Sequence, residues 1–346
     1  MSNLLRTLGG LALGTLGGSL FFTLSLPLPW MLGALSLTMV ASVAGLPVLG
    51  PTRLRPAIVA VIGVLLGARF TPDVVQQAEQ AAVTLAILSV YLAAVAVLVV
   101  PFYRFIGRQD WTTAYFAGMP GGLSEMIELG EARGADVPAI VLAHSLRIVL
   151  TIGLMVLLFR LVLDHDLGGS GRVPSGTGQI PGLFDGAVLT ACAVFGSLGG
   201  KALRLPAPTF LGPLILSAAT HMAGVTEGVP PSLLVNAAQV ALGTILGCRF
   251  LGIAPRTVLR AGVLSLGATL ITLALAGVAA LAMQHWAGVS LDQAMLALAP
   301  GGLTEMGLIA LAIHADVAFV ALHHVARILI VIVIAPPLLR AFLRDR

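Results

Sequence analysis

The sequence predicts an all-α integral membrane protein made of two inverted repeats, each of about five transmembrane helices plus a re-entrant (or broken) helix hairpin. Three observations carry that reading. The 346 residues are 58% hydrophobic and only 10% charged, with a mean hydropathy of +1.02, far from a water-soluble domain. One stretch is written twice. AGMPGGLSEMIELGEARGADVPAIVLAHSLR at 117 to 147 returns as ALAPGGLTEMGLIALAIHADVAFVALHHVAR at 297 to 327, with 14 of 31 positions identical at a constant shift of 180, the mark of an internal duplication. Finally, the basic residues gather at segment ends in a way that two halves of opposite orientation would explain.

In chain order, apolar segments are expected near 4–24, 28–48, 56–70 and 78–102, then a hairpin, then 136–163. The second half repeats the order with 183–200, 206–222, 231–248 and 258–283, a second hairpin, and 316–338. Most are long enough to span at 1.5 Å per residue, although the third is short. LPLPWMLG at 26–33 answers LPAPTFLG at 205–212, and GVLLGARF at 63–70 answers GTILGCRF at 243–250. The duplication thus gives a first repeat over 1–163 and a second over 183–346, joined by a Gly, Ser and Pro-rich linker at 164–182. Arg6 ahead of an apolar run imitates a signal peptide. GTLGG at 14–18 recurs as GSLGG at 196–200, and a cleavable leader has no reason to be duplicated. Glycines four apart (Gly10, Gly14 and Gly18, Gly63 and Gly67, Gly243 and Gly247) suit close helix packing. Cys192 and Cys248 read as small buried hydrophobes.

Each hairpin departs from an ordinary span. A short run meets Pro120-Gly121-Gly122 or Pro300-Gly301-Gly302, where helix cannot comfortably continue. Ser124 or Thr304 then stands where a new helix begins, with Glu125 or Glu305 in its first turn. The pieces are too short to cross alone, so each is either a re-entrant hairpin or a broken spanning helix. With hairpins and the N-terminus inside, about 14 basic residues lie on the cytoplasmic side against 3 outside, while parallel halves give roughly 10 against 7. The charges therefore favour inverted repeats with both termini cytoplasmic.

Irregular backbone at membrane depth needs protein or a water-filled cavity around it, and two such breaks, one per half, point to a transporter site. The free amides after each break suit an anion. Glu125 and Glu305 either hold a sodium ion or proton or cap the amides beneath them. Asp136 and Asp316 open the next span, where N-capping competes with an ion role. Arg147 and Arg327 fall near mid-membrane and must meet a carboxylate, a carbonyl or an anionic substrate. His144 and His324, one turn earlier, are proton relays or satisfied core histidines. Glu128, Glu131 and Arg133 lack counterparts and read as a wet face. His323 and His324, as helix neighbours, point about 100° apart and form no ligand pair.

The doubled PGG, then L-S/T-E-M, A-D-V and H-x-x-R, resembles the AbrB-duplication family of bacterial inner-membrane proteins, across nearly the whole chain. Members carry labels such as ammonia monooxygenase or regulator of gene expression. The family is similar, at a distance, to the cation:proton antiporter and anion transporter group. A copper oxidase needs converging histidines, whereas His165, His221, His285 and His314 sit at segment ends or loops. A DNA-binding regulator needs a soluble basic domain, and no segment reads as one. The expectation is a secondary transporter of a small anionic solute coupled to protons or sodium, with no catalytic or metal site and no cofactor. Its expected partners are the bilayer, the solute and the coupling cation, without nucleic acid, and homo-oligomerisation is left open. The competing expectation is a membrane sensor that uses the same site without transport.

Overall fold

The structure is a computed structural model that describes residues 2–26, 28–70, 78–161 and 181–344. The linker expected at 164–182 lies outside these residues except for 181 and 182. Among the described residues there is helix and no strand. The first half gives α1 (Asn3–Thr23), α2 (Pro29–Val43), α3 (Arg55–Gly67), α4 (Ala78–Pro101), α5 (Trp111–Gly118), α6 (Leu123–Glu131) and α7 (Val137–Leu161). The second gives α8 (Leu183–Ala202), α9 (Pro208–Met222), α10 (Ser232–Gly247), α11 (Pro255–Ala287), α12 (Leu291–Leu298), α13 (Leu303–Ala312) and α14 (Val317–Arg344). The element order is therefore written twice, like the sequence. Six helices among the described residues (α1, α4, α7, α8, α10 and α11) are long and apolar enough to cross a membrane.

Element ends follow from turn chemistry. The segment expected over 28–48 is helical only to Val43, because Gly45 takes φ 81° and its amide and that of Leu46 turn back to the Ser42 and Ala41 carbonyls. Gly224, at φ 68°, closes α9 in the same manner. At the other ends of these two helices Leu28 (φ 44°) and Ala207 (φ 46°) are left-handed, each immediately before a proline that starts the helix.

The chain divides into two compact units, each drawing on both halves of the sequence. The first gathers α1–α3 and α8–α10 with the stretch Gly307–Ala318. Its helices cross at glycines. A Cβ on Gly17 would run into the Gly33 carbonyl, and one on Gly212 into the Gly196 carbonyl, so α1 meets α2, and α8 meets α9, backbone to backbone. The two crossings share one sequence spacing. This corrects the register read from GTLGG and GSLGG: Gly17, not Gly14, corresponds to Gly196. Gly14 and Gly18 face Ala34 and Trp30 respectively, so α2 runs back along α1. Gly63 and Gly67 face the Phe210 and Leu214 carbonyls, while Gly243 and Gly247 face those of Met31 and Leu35. Hence α3 runs in the same direction as α9, and α10 in the same direction as α2. Gly50, just ahead of α3, meets Ile245 near the end of α10, and Val61 shares cavity walls with Leu234 near its start. Helices α3 and α10 are therefore antiparallel.

The second unit holds α4–α7 up to Leu157, α11, α12, the start of α13 and α14 from Phe319. Both copies of the doubled motif contribute their breaks, glutamates, histidines and arginines to it.

Candidate functional site

The two breaks are built by the same local rules. Asp110 caps α5 by accepting the Thr113 amide at 2.9 Å, and the helix ends at Met119, whose ψ of 133° extends the chain into Pro120. In the second half Ala299 does the same, with ψ 135°. An α-helical carbonyl takes the amide four residues on. For Phe116 and Leu296 that amide belongs to Pro120 and Pro300, which have none. Two buried carbonyls are thereby left without their natural donor.

The histidines supply it. His144 Nε2 lies 2.8 Å from the Phe116 carbonyl and His324 Nε2 2.9 Å from that of Leu296. A carbonyl only accepts, so Nε2 carries the proton. On the other side of the ring, Arg147 Nη2 reaches His144 Nδ1 at 3.0 Å and Arg327 Nη2 reaches His324 Nδ1 at 3.2 Å. A guanidinium only donates, so Nδ1 is bare. Partners on both sides thus fix each histidine as the neutral Nε2–H tautomer. This arrangement favours the satisfied core histidine over the proton relay, because a proton on Nδ1 would have to displace an arginine.

The arginines extend the same clasp. Arg147 Nη1 donates to the Met119 carbonyl at 3.1 Å. Arg327 Nη1 donates to the Ala299 carbonyl, and its Nη2 also to Gly301 at 2.9 Å. Of the three partners the sequence allowed, the structure gives them carbonyls. A cation at the C-terminal end of a short helix also answers the negative pole of its dipole. Arg147 and Arg327 are 7% and 4% exposed, and each Nε has no hydrogen-bond partner.

The pairing of His144 with Phe116 and of Arg147 with Met119 shows that α5 runs alongside α7 in the same direction. The Asp136 amide, at the start of α7, donates to Thr113 at the start of α5 at 2.9 Å. Consequently α6 returns from the break to the end at which α5 began, and α5 and α6 form a hairpin. The matching contacts of His324 and Arg327 give α12 and α13 the same form.

The residues that follow each break explain why PGG and L-S/T-E-M are doubled together. A Cβ on Gly121 would strike Met126, and one on Gly122 the Glu125 carboxylate. Gly301 and Gly302 stand in the same relation to Met306 and Glu305. The glutamates thus fold over the glycines that open α6 and α13, the capping geometry. Glu125 is half-buried and Glu305 only 9% exposed. Pro120, Gly121, Pro300 and Gly301 are buried, and Gly122, Gly302 and Thr304 half-buried. Ser124 lies in α6, and its side chain is outside the described residues. Asp136 and Asp316 cap α7 and α14 by accepting the Ala139 and Ala318 amides at 3.1 and 2.8 Å. Glu128, Glu131 and Arg133 are exposed, as a wet face requires. The His323 ring lies against Phe319 with 4.1 Å between centroids, away from His324's partners. Among the described residues no group of three His, Cys, Asp or Glu side chains could hold a metal ion.

Tyr91 is a site residue the duplication could not show, because the shift of 180 places Ile271 opposite it. It is 3% exposed, and its hydroxyl donates to the Leu298 carbonyl at 3.0 Å. The second break therefore has a tie that comes from the first half.

The clasp makes a testable claim about proline. His324→Leu strands both the Leu296 carbonyl and one Arg327 donor, at a cost of about 2 to 4 kcal/mol. Pro300→Ala restores the missing amide, so His324→Leu should cost at least about 1 kcal/mol less in that background. Thermal unfolding of the four proteins in detergent measures this, and additive losses would refute the replacement of amide by imidazole.

A family model described as transition state regulatory protein AbrB matches residues 30–343. A protein of Bacillus subtilis (strain 168) named "Uncharacterized protein YhjN" is 27% identical over 373 aligned residues, covering 98% of this chain and 93% of its own. One of Escherichia coli (strain K12) named "Putative regulator AbrB" is 26% identical over 328, covering 92% and 91%. No solved structure matches.

Proposed function

The chain belongs to the AbrB family, and from that premise we propose that it is a bacterial inner-membrane secondary transporter. It moves a small anionic solute with protons or sodium, through a site formed by the two hairpins. One observation carries the reading: two buried guanidinium groups, answered by carbonyls rather than carboxylates, stand behind two breaks, each followed by the N-terminal end of a helix. An anion between the breaks completes that charge balance. Glu125 and Glu305, folded over the amides, are the groups that a proton or sodium would engage as the solute enters.

Helix directions in the first unit support inverted repeats, since α2 opposes α1, α3 opposes α10, and α9 and α10 run with α3 and α2. On that arrangement the hairpins are re-entrant, both termini are cytoplasmic and the basic residues divide 14 against 3 as the positive-inside rule prefers. Any influence on gene expression is then indirect, through the solute moved.

A second reading, a membrane regulator without transport, draws on the name of the Escherichia coli relative. Reconstituted protein separates the two. Phosphate, sulfate and a panel of small mono- and dicarboxylates are presented to proteoliposomes under a proton or sodium gradient. The expected result is gradient-driven uptake of one anion class, with Glu305→Gln losing at least tenfold of the gradient's effect while still exchanging solute. No flux above empty liposomes for every anion would leave the regulator reading standing.

A further inference from the structure

Two apolar cavities of about 630 and 620 Å³ open on the first unit, and none of the site residues lines either of them. One strip, Ala57 and Val61 of α3 and Leu234 of α10, lines both. The first lies against α1 and α2, the second against α8 and α9. The second follows α8 from Gly186 to Lys201, about 22 Å at helical rise, more than one leaflet's share of a hydrocarbon core about 30 Å thick. Among the described residues, Lys201 is the lone ionisable one in its walls. Pro56 lines the same cavity, so Arg55 and Arg53 stand at that end, with Arg204 just beyond α8, and all four cations are exposed. Asp185 is at the opposite end of α8, where Thr226 donates to it at 2.6 Å.

We propose that this face binds one two-chained anionic phospholipid, an acyl chain in each cavity and the phosphate among Arg53, Arg55 and Lys201. Paired grooves of similar volume divided by one narrow strip match a molecule with two chains and one head. The charge decides against a second copy of the protein, because a twofold mate would set these cations against themselves. A zwitterionic lipid leaves them without a counter-charge. Helix α3 is only 13 residues long, about 20 Å, so the lipid fills hydrocarbon depth that α3 does not reach.

The test uses the full-length protein in neutral detergent, with bound lipid read by mass spectrometry and the unfolding temperature recorded. Dioleoyl phosphatidylglycerol should be retained and raise the unfolding temperature, whereas dioleoyl phosphatidylcholine and inorganic phosphate should do neither. Arg55→Ala with Lys201→Ala should lower phosphatidylglycerol retention about fivefold for each charge removed. Both side chains are exposed, so the variant keeps the fold. Ala57→Trp, which fills the dividing strip, should abolish retention. Equal retention of the two lipids, unchanged retention in the double variant, or equal stabilisation by inorganic phosphate would each overturn the proposal. A disulfide between Ala57→Cys copies would assign the face to a second copy instead. Uptake through the second unit does not enter the readout, so the result is independent of the transport reading.

Discussion

Arg327→Ala is expected to lose most of the folded protein. The side chain gives one donor to Ala299, one to Gly301 and one to His324, all buried, and alanine supplies none of them. A hydrogen bond from a charged donor contributes about 1.5 to 3 kcal/mol, and stranding its acceptor costs a similar amount. Three together reach about 4 kcal/mol or more, against a total of about 5 to 15 for a typical fold. Arg147→Ala, which removes two partners, should cost less. Lysine should not rescue position 327, because one ammonium cannot span three acceptors held by a planar fork. Size-exclusion profile and unfolding temperature in detergent measure this. An Arg327→Ala protein that stays monodisperse and melts like the parent would mean that the carbonyls have another partner.

Gly212→Leu should separate α8 from α9 with an effect of similar size. Any Cβ there meets the Gly196 carbonyl and the Gly200 amide, both backbone, so no side chain can move aside. Overpacking costs about 1 to 3 kcal/mol where side chains yield, and more is expected here. Gly199→Ala is the control with the opposite sign. Although it adjoins Gly200, nothing lies within 4 Å of its Cβ position, and alanine in a helix gains about 1 kcal/mol over glycine. Melting temperatures should therefore fall in the first variant and hold or rise in the second. The same sign in both would contradict the crossing described.

Much of the fold was legible because a duplication prints its own constraints. Pro120 and Pro300, with their glycines, mark the breaks, and the apolar runs mark the helices. Where the reading slipped, the reason is geometric. GTLGG resembles GSLGG as text, yet the contact between Gly17 and Gly33 sets the register, and contact is not written in one strand of letters. For the site, Arg147 and Arg327 could be placed deep in the protein but not given their partners. Those partners are carbonyls 28 residues back, and backbone atoms carry no sequence signal. One clue was available: a proline always silences an amide, so the carbonyl four positions earlier needs another donor. Asp136 and Asp316 were readable as caps from their place ahead of a span. Tyr91 was not readable, because a comparison of the two copies sees only what they share.

That asymmetry bears on ancestry. A primitive half-length chain pairing with its own twin would have placed identical side chains at positions 91 and 271, and both breaks would have been equally secured. Once a single gene encoded both halves, a phenol could arise in one and an aliphatic group in the other. A chimera carrying the C-terminal half twice would have isoleucine at both positions and lose that anchor. The two halves have become distinct parts and are no longer spares for one another.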